Sequence, residues 1–295
     1  MTAAVQDKWA SWVLERGHAG DAEQERSKLD HLRPIRDRIL DNADLRPDDV
    51  LLDVGAGDGL IAFGALDRLG TSGRVIFNDI SQDLVDHGRE LAGQLGVVER
   101  CAFVQASADD LQPVADSSVD VVTTRSVLIY LPAPQKQEAF REFHRVLRPG
   151  GRLSIFEPIN RFSFPEPDDL YWGFDVAPVL DLAKKVKDIR GCDGDSGADS
   201  LVDFDERDLL AFAENAGFQP VRLHLDVEIA PGSWFTGWKA FLDTAGNPLE
   251  PTQREAINQA LTLEEASRFE SHLRPLVERR DAIKRSSVVY VWGDR

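Results

Sequence analysis

Apolar positions along the chain change period several times, and each change marks an element. Val50-Leu51-Leu52-Asp53-Val54 is a short apolar run that ends in Gly55-Ala56-Gly57-Asp58-Gly59, and residues 60–69 then carry an apolar helical pattern. A run this short, closed by glycines, reads as a buried strand entering a sharp turn and a helix. Residues 74–79 read as a second strand, 103–111 as a third strand with its exit turn, and 118–124 as a fourth. A helix is predicted over 135–147, with Ala139, Phe140, Phe143, Val146 and Leu147 on one face. Arg148-Pro149-Gly150-Gly151 stops it, and 152–157 is a fifth strand. A helix over 205–216 ends at Gly217, a sixth strand starts at 219–225, and 287–292 reads as a seventh, placed at the sheet edge. Strands alternating with helices predict the α/β class: a Rossmann-like seven-stranded, mostly parallel sheet with helices on both faces.

Three regions lie outside that alternation. Residues 1–45 read as an N-terminal helical cap, with Trp9, Trp12 and Val13 as an apolar stripe whose simplest use is core packing. Residues 161–204 form a lid-like insertion: Pro158 to Pro165 is punctuated by proline and phenylalanine, Tyr171, Trp172 and Phe174 follow, and 188–203 is a Gly/Asp/Ser-rich stretch read as a mobile loop. Asp193-Gly194-Asp195 within it hints at calcium, but Ala198 and Phe204 stand where a calcium-binding loop needs Gly and Glu. Roughly 55 residues separate the last two strands, at about 231–285, far more than an ordinary connection. Two capping boxes, Thr252 to Glu255 and Thr262 to Glu265, each open a helix there. The expected organisation is one domain over 1–295: the cap, a core over 46–160, the lid-like insertion, and C-terminal core strands over 205–295 interrupted by the helical insertion.

Composition narrows the function. The formal net charge of -17 argues against nucleic acid, since a phosphate backbone is bound by clustered Lys and Arg. Arg279-Arg280 and Lys284-Arg285 are the late basic pairs, and both sit near acids. Two cysteines, Cys101 and Cys192, give neither a disulfide framework nor a metal-ligand set, and a soft metalloid substrate would call for more thiols. Gln6, Asp7 and Lys8 interrupt any apolar signal core, and no apolar run approaches membrane length, so a cytoplasmic protein without a membrane partner is expected.

The chemistry-bearing segment is Asp53-Val54-Gly55-Ala56-Gly57-Asp58-Gly59. A dinucleotide fingerprint would need a third glycine where Leu60 stands, and no Gly-Lys-Ser/Thr follows for a nucleoside triphosphate. Asp79 ends the second strand twenty residues beyond Gly59, where a carboxylate suits two ribose hydroxyls. With the turn at Arg145-Val146-Leu147-Arg148-Pro149-Gly150-Gly151-Arg152-Leu153, this resembles the class I methyltransferases that use S-adenosylmethionine (SAM), over about residues 45–160 and the two last strands. The resemblance implies SAM as cofactor, Asp53 and the backbone of Gly55, Ala56 and Gly57 flanking its methionine part, Asp79 on the ribose, Ile80 on the adenine, and a backbone N–H from Ala108 to the ring. Many members carry Asp or Asn before that alanine. Here it is Ser107, which can bond adenine itself, or Asp109 substitutes. Asp58, Gly59 and Arg125 complete the implied cofactor set.

For the acceptor, strand exits supply Tyr130, Glu157 and Arg161, and the aromatic insertions supply Tyr171, Trp172, Trp234 and Trp238 as a wall. Arg125 and Arg161 suit an acidic acceptor. His31 and Arg33 can approach from the cap. Methyl transfer from a sulfonium expels a neutral leaving group, so no fixed catalytic motif is required, and neither a catalytic residue nor a metal is assigned. A small organic acceptor is the expected partner. Peptide or protein side-chain methylation and a non-catalytic SAM-binding sensor remain the alternatives, and the oligomeric state stays open.

Overall fold

A computed structural model describes residues 7–190 and 200–295. The chain begins with helices α1 (Lys8–Leu14) and α2 (Ala22–Asn42). There follow β1 (Val50–Val54), α3 (Leu60–Leu66), β2 (Arg74–Asp79), α4 (Gln82–Gln94), β3 (Cys101–Gln105), β4 (Val119–Arg125), α5 (Ala133–Val146) and β5 (Leu147–Pro158). The first insertion holds α6 (Asn160–Ser163), the two-residue strands β6 (Leu170–Tyr171) and β7 (Phe174–Asp175), and α7 (Leu180–Arg190). Then come α8 (Glu206–Ala216), β8 (Val221–Pro231), α9 (Trp238–Asp243), α10 (Gln253–Ala260), α11 (Leu263–Arg279) and β9 (Ile283–Asp294).

The sheet is seven-stranded in the order β3-β2-β1-β4-β5-β9-β8. β1 to β5 pair parallel, and β9 runs antiparallel between β5 and β8. The reversal of order beside β1 places a crevice at the carboxyl ends of the strands. The fold is the Rossmann-like α/β class expected from the alternation. One expectation is corrected: the last strand is not at the edge. Val289 and Val291 are fully buried and Tyr290 nearly so, on opposite faces, as an interior strand requires. β8 instead alternates apolar residues with Arg222, His224, Asp226 and Glu228 and is largely exposed, which is what an edge strand tolerates.

Alternate residues of each strand feed opposite cores. Leu52, Val54 and Val122 join Phe140, Phe143, Leu209 and Phe218 from α5, α8 and the turn after α8, while Leu51 and Val121 join Ile39, Leu40, Ile61 and Phe77. A third apolar cluster lies off the sheet and gathers both insertions: Phe174, Leu182 and Val186 pack with Phe241, Ile257, Phe269 and Leu273. Both expected capping boxes form, Thr252 with Glu255 at α10 and Thr262 with Glu265 at α11. The Gly/Asp-rich stretch is shorter than expected, because residues 188–190 complete α7. Its centre, with Asp193, Gly194 and Asp195, lies outside the described residues, as does Cys192. Among the described residues no helix is long and apolar enough to cross a membrane.

β9 overruns the carboxyl end of its partner β5. Pairing with β5 begins at Val288 opposite Pro158, so residues 283–287 pair only with 227–231 of β8. This two-stranded ribbon projects past the carboxyl edge and carries the second insertion out over the crevice.

Candidate functional site

The strand exits, the two insertions and the N-terminal cap enclose one cleft of about 1070 Å³. Its floor is the glycine turn. Gly55 and Gly59 have φ of +68° and +84°, and a Cβ at Gly55 would come within 2.2 Å of Val127 Cγ2. Only glycine holds this turn without strain. The turn is pinned from the neighbouring strand: Ala56 N–H donates to the Asn78 carbonyl at 2.8 Å, and Gly57 N–H donates to Asp79 Oδ2 at 3.0 Å.

Asp79 closes β2 at the cleft wall. Its Oδ1 accepts from Ser81 N–H at 3.0 Å, and burial raises its carboxyl above the usual range against the pull of those backbone donors. Ile80 beside it presents an apolar face, 51% exposed. Across the exit of β3, the Ser107 hydroxyl donates to Asp109, Ala108 lies against the cleft, and Asp110 N–H closes the turn on the Ser107 carbonyl at 3.1 Å. Gly55, Gly57, Asp79, Ile80, Ser107, Ala108, Asp109 and Arg125 therefore face one space.

Asp53 does not face it. The carboxylate lies beneath the turn, accepting from Thr123 Oγ1 at 2.9 Å and from Ala62 N–H at 3.1 Å, and burial pushes its pKa up to about 7. It ties β1 to β4 and to the first turn of α3, so its geometry offers support for the turn instead of the expected contact with the methionine part. Ala56, Asp58 and Gly59 likewise shape the turn from behind; Asp58 Oδ1 accepts from Leu60 N–H at 3.2 Å.

The expected acceptor residues divide. Tyr130, Trp172 and Trp234 line the cleft. Glu157 does not: its carboxylate accepts from Val127 and Leu128 N–H at 2.9 Å and from Ile129 N–H at 3.3 Å, which fixes the loop carrying Tyr130. Burial raises its pKa to about 7 despite those donors. Tyr171 is 1% exposed, bonded to Gln253, inside the insertion core. Trp238 stacks on Phe241 in that same core, centroids 5.3 Å apart. Arg161 points away, 3.9 Å from Asp205 and mostly exposed. These four are corrections with a common cause: position at a strand exit, or within an aromatic run, does not set the direction of a side chain.

The roof was visible only as an apolar stripe. Trp9, Trp12 and Val13 of α1 and His31, Leu32 and Ile35 of α2 line the cleft from above. Asp7 accepts from the Ser81 hydroxyl at 2.6 Å, Trp12 Nε1 donates to the Ala245 carbonyl at 3.0 Å, and Gln24 Nε2 to the Trp234 carbonyl at 3.0 Å. Arg33 turns outward to Asp30 at 2.9 Å. Burial, reinforced by Lys284 and Arg125, lowers the His31 pKa, so the ring is neutral at neutral pH. Burial also lowers Lys28, again with Arg125 adding. Arg285 and Ser287, from the projecting ribbon, line the cleft as well. Their signal in the sequence was the polar start of an otherwise apolar strand, Lys284-Arg285-Ser286-Ser287 before Val288.

The methyltransferase-domain family matches residues 51–151. Over 189 residues the chain is 32% identical to the ubiquinone/menaquinone biosynthesis C-methyltransferase UbiE of Klebsiella pneumoniae (strain 342), covering 63% of this chain and 72% of that protein. The chain belongs to the class I SAM-dependent methyltransferases. It is also 33% identical over 189 residues to an arsenite methyltransferase of Halobacterium salinarum, covering 64% of this chain but 40% of that longer protein. Among solved structures, geranyl diphosphate methyltransferase in complex with SAM shares the fold, with a TM-score of 0.52 and 18% identity over 95% of this chain and 93% of that one. This methyltransferase thus uses SAM and is of the small-molecule type. Among the described residues no cluster of three or more His, Cys, Asp or Glu could hold a metal.

Proposed function

We propose that the methyltransferase binds SAM along the floor of the cleft and moves its methyl group to an organic acceptor held under the roof. The carrying observation is that the glycine turn, Asp79 and the Trp172–Trp234 wall open onto one continuous cavity. In this reading the ribose sits on Asp79, the adenine lies against Ile80 and the Ser107–Asp109 turn, and the methionine part lies over Gly55 and Gly57 beside Arg125. SAM supplies an electrophilic methyl group on a sulfonium. The protein aligns the acceptor atom, the methyl carbon and the sulfur, and keeps water out. Trp9, Trp12, Trp172 and Trp234 supply the apolar enclosure. His31, neutral and on the cleft wall, takes the proton from an acceptor that holds one.

An organic acceptor is favoured over arsenite by the scarcity of thiols, since the chain has two cysteines. The described one, Cys101, donates from Sγ to the Val97 carbonyl at 3.3 Å at the start of β3, away from the cleft. Carbon methylation, as the name of the UbiE relatives states for those proteins, fits an aromatic cleft without requiring a thiolate.

The test is methyl transfer from radiolabelled SAM across an acceptor library, compared between the wild type and Trp172→Ala/Trp234→Ala. The double variant is expected to bind S-adenosylhomocysteine normally while acceptor KM rises at least tenfold. Wild-type turnover in the double variant would place the acceptor elsewhere.

A further inference from the structure

The unpartnered polar groups in the acceptor half of the cleft are donors, and two of them form a short row on β9. Arg285 Nε, Ser287 Oγ and Trp172 Nε1 are each buried with no hydrogen-bond partner, and all three residues line the cleft. Ser287 is 5% exposed. Arg285 and Ser287 stand two residues apart on β9 and so project from the same face, roughly 6.6 Å apart along the strand. Ser287 lies beside the end of β5, where its carbonyl accepts from Ile159 N–H at 2.8 Å. At the outer end, Ile283 N–H donates to the Gly173 carbonyl at 2.9 Å, which sets Trp172 against the start of the same strand.

Among the described residues Arg285 has no ion-pair partner, although the chain carries 51 acidic residues against 34 Lys and Arg. The two carboxylates that line this part of the cleft make other contacts: Glu166 accepts from Trp172 N–H at 2.9 Å and Gly173 N–H at 2.7 Å, and Glu250 pairs with Arg190. A buried donor without an acceptor is costly, and here one nitrogen of a half-buried guanidinium is such a donor. A group that only accepts would satisfy all three at once.

The row also lies apart from the cofactor floor. β9 is the third strand from β1 in the sheet, on the order of 14 Å across at the usual strand spacing. With the methionine part over the β1 turn as proposed above, its carboxylate would not reach these donors.

We infer that the methyl acceptor carries an oxyanion, a carboxylate or a phosphate, that docks on Arg285 and Ser287 with Trp172 Nε1 at its outer side. This rests on the acceptor occupying the cleft as proposed above. The oxyanion anchors one end, and the apolar body extends between Trp234 and the roof toward the sulfonium. The anion makes no covalent step of its own; it positions the acceptor.

The test uses protein saturated with S-adenosylhomocysteine and four probes: 2-naphthoate, 2-naphthyl phosphate and their neutral counterparts 2-naphthamide and 2-naphthol. Calorimetry reads each affinity. One acid is expected to bind at least tenfold tighter than its neutral counterpart, and which acid does so separates the carboxylate from the phosphate. Arg285→Met should remove that preference and Ser287→Ala should weaken it, while Arg285→Lys keeps part of it. S-adenosylhomocysteine affinity should stay unchanged in all three, which shows that they remain folded. If acids and neutral probes bind equally, or Arg285→Met keeps the preference, the oxyanion inference fails while the cleft remains an acceptor site. If no probe binds beside S-adenosylhomocysteine, the cleft reading fails and the inference with it.

Discussion

Asp79→Ala is the sharpest probe of the cofactor floor, and its size follows from counting lone pairs. An ionised carboxylate offers about four acceptor positions. Two are filled inside the protein, by Gly57 N–H on Oδ2 and Ser81 N–H on Oδ1, and Ile80 N–H also acts on the carboxyl. Up to two positions are left for the hydroxyls of a ribose. Hydrogen bonds to a charged acceptor contribute about 1.5–3 kcal/mol each, so one to two gross bonds are lost in the variant. Water recovers part of the loss, because the neighbouring Ile80 is half exposed and the emptied position can hydrate. The net cost in cofactor binding is about 1–3 kcal/mol, or roughly 5- to 150-fold in Kd. Calorimetric titration with S-adenosylhomocysteine measures it, with circular dichroism confirming the fold. Asp79→Asn should fall between, since it keeps one acceptor but aims an amide N–H at either Gly57 or Ser81. An unchanged Kd in folded Asp79→Ala would refute the ribose assignment outright.

Gly55→Ala should destabilise the fold by about 2–4 kcal/mol, combining the positive-φ penalty with overlap on Val127, in denaturant unfolding; adding Val127→Ala should recover the overlap part only. Asp53, raised from 3.8 to about 7 by burial, contributes stability that is complete below about 3.8 and is lost as pH rises through about 7. Asp53→Asn should flatten that decline by up to about 4 kcal/mol, at about 1.4 kcal/mol per pH unit, with the residue of the slope coming from Glu157; an equally steep profile in the variant contradicts the assignment. His31→Gln should abolish the acidic limb of kcat/KM, whose midpoint in the wild type should lie below 6.5 because burial lowers the ring's pKa; a limb that survives the substitution assigns the proton transfer to another group.

What could be read from the sequence was what the backbone dictates locally. The glycines after β1 announce themselves because positive φ leaves few alternatives, and Asp79 because a carboxylate closing an apolar strand stands out from its run. The capping boxes of α10 and α11 are equally local. The misreadings of site residues concern direction. Glu157 follows an apolar strand like any exit residue, yet its oxygens are spent on three backbone N–H groups. Tyr171 and Trp172 are neighbours in an aromatic run, yet one turns into the insertion core and the other into the cleft. Trp172 adopts a positive φ of 54°, a reversal of the chain that no periodicity reveals. The polar start of the last strand did not mark Arg285 as a site residue, because its place depends on how far β9 overhangs β5, a register fixed only in the sheet.

The two halves of the cleft are therefore held by forces of different reach. The floor is strand and turn, with every anchor between neighbouring strands and the valine-rich core beneath it. The roof is attached across the whole length of the chain: Trp12 reaches Ala245 through one side-chain hydrogen bond, and Gln24 reaches the Trp234 carbonyl and Thr236, separations of 233, 210 and 212 residues. The ion pair that accompanies them, Arg16 with Glu255 at 2.6 Å, is largely exposed and contributes little. α2 is packed into the sheet core through Ile39 and Leu40, whereas breaking the few contacts of α1 costs far less, so α1 is the part of the cap able to open. An acceptor enclosed by Trp9 and Trp12 above and Trp172 and Trp234 at the side needs such a motion to enter and leave. The same motion returns water to the sulfonium only when no methyl group is being moved, which is what a dry displacement requires.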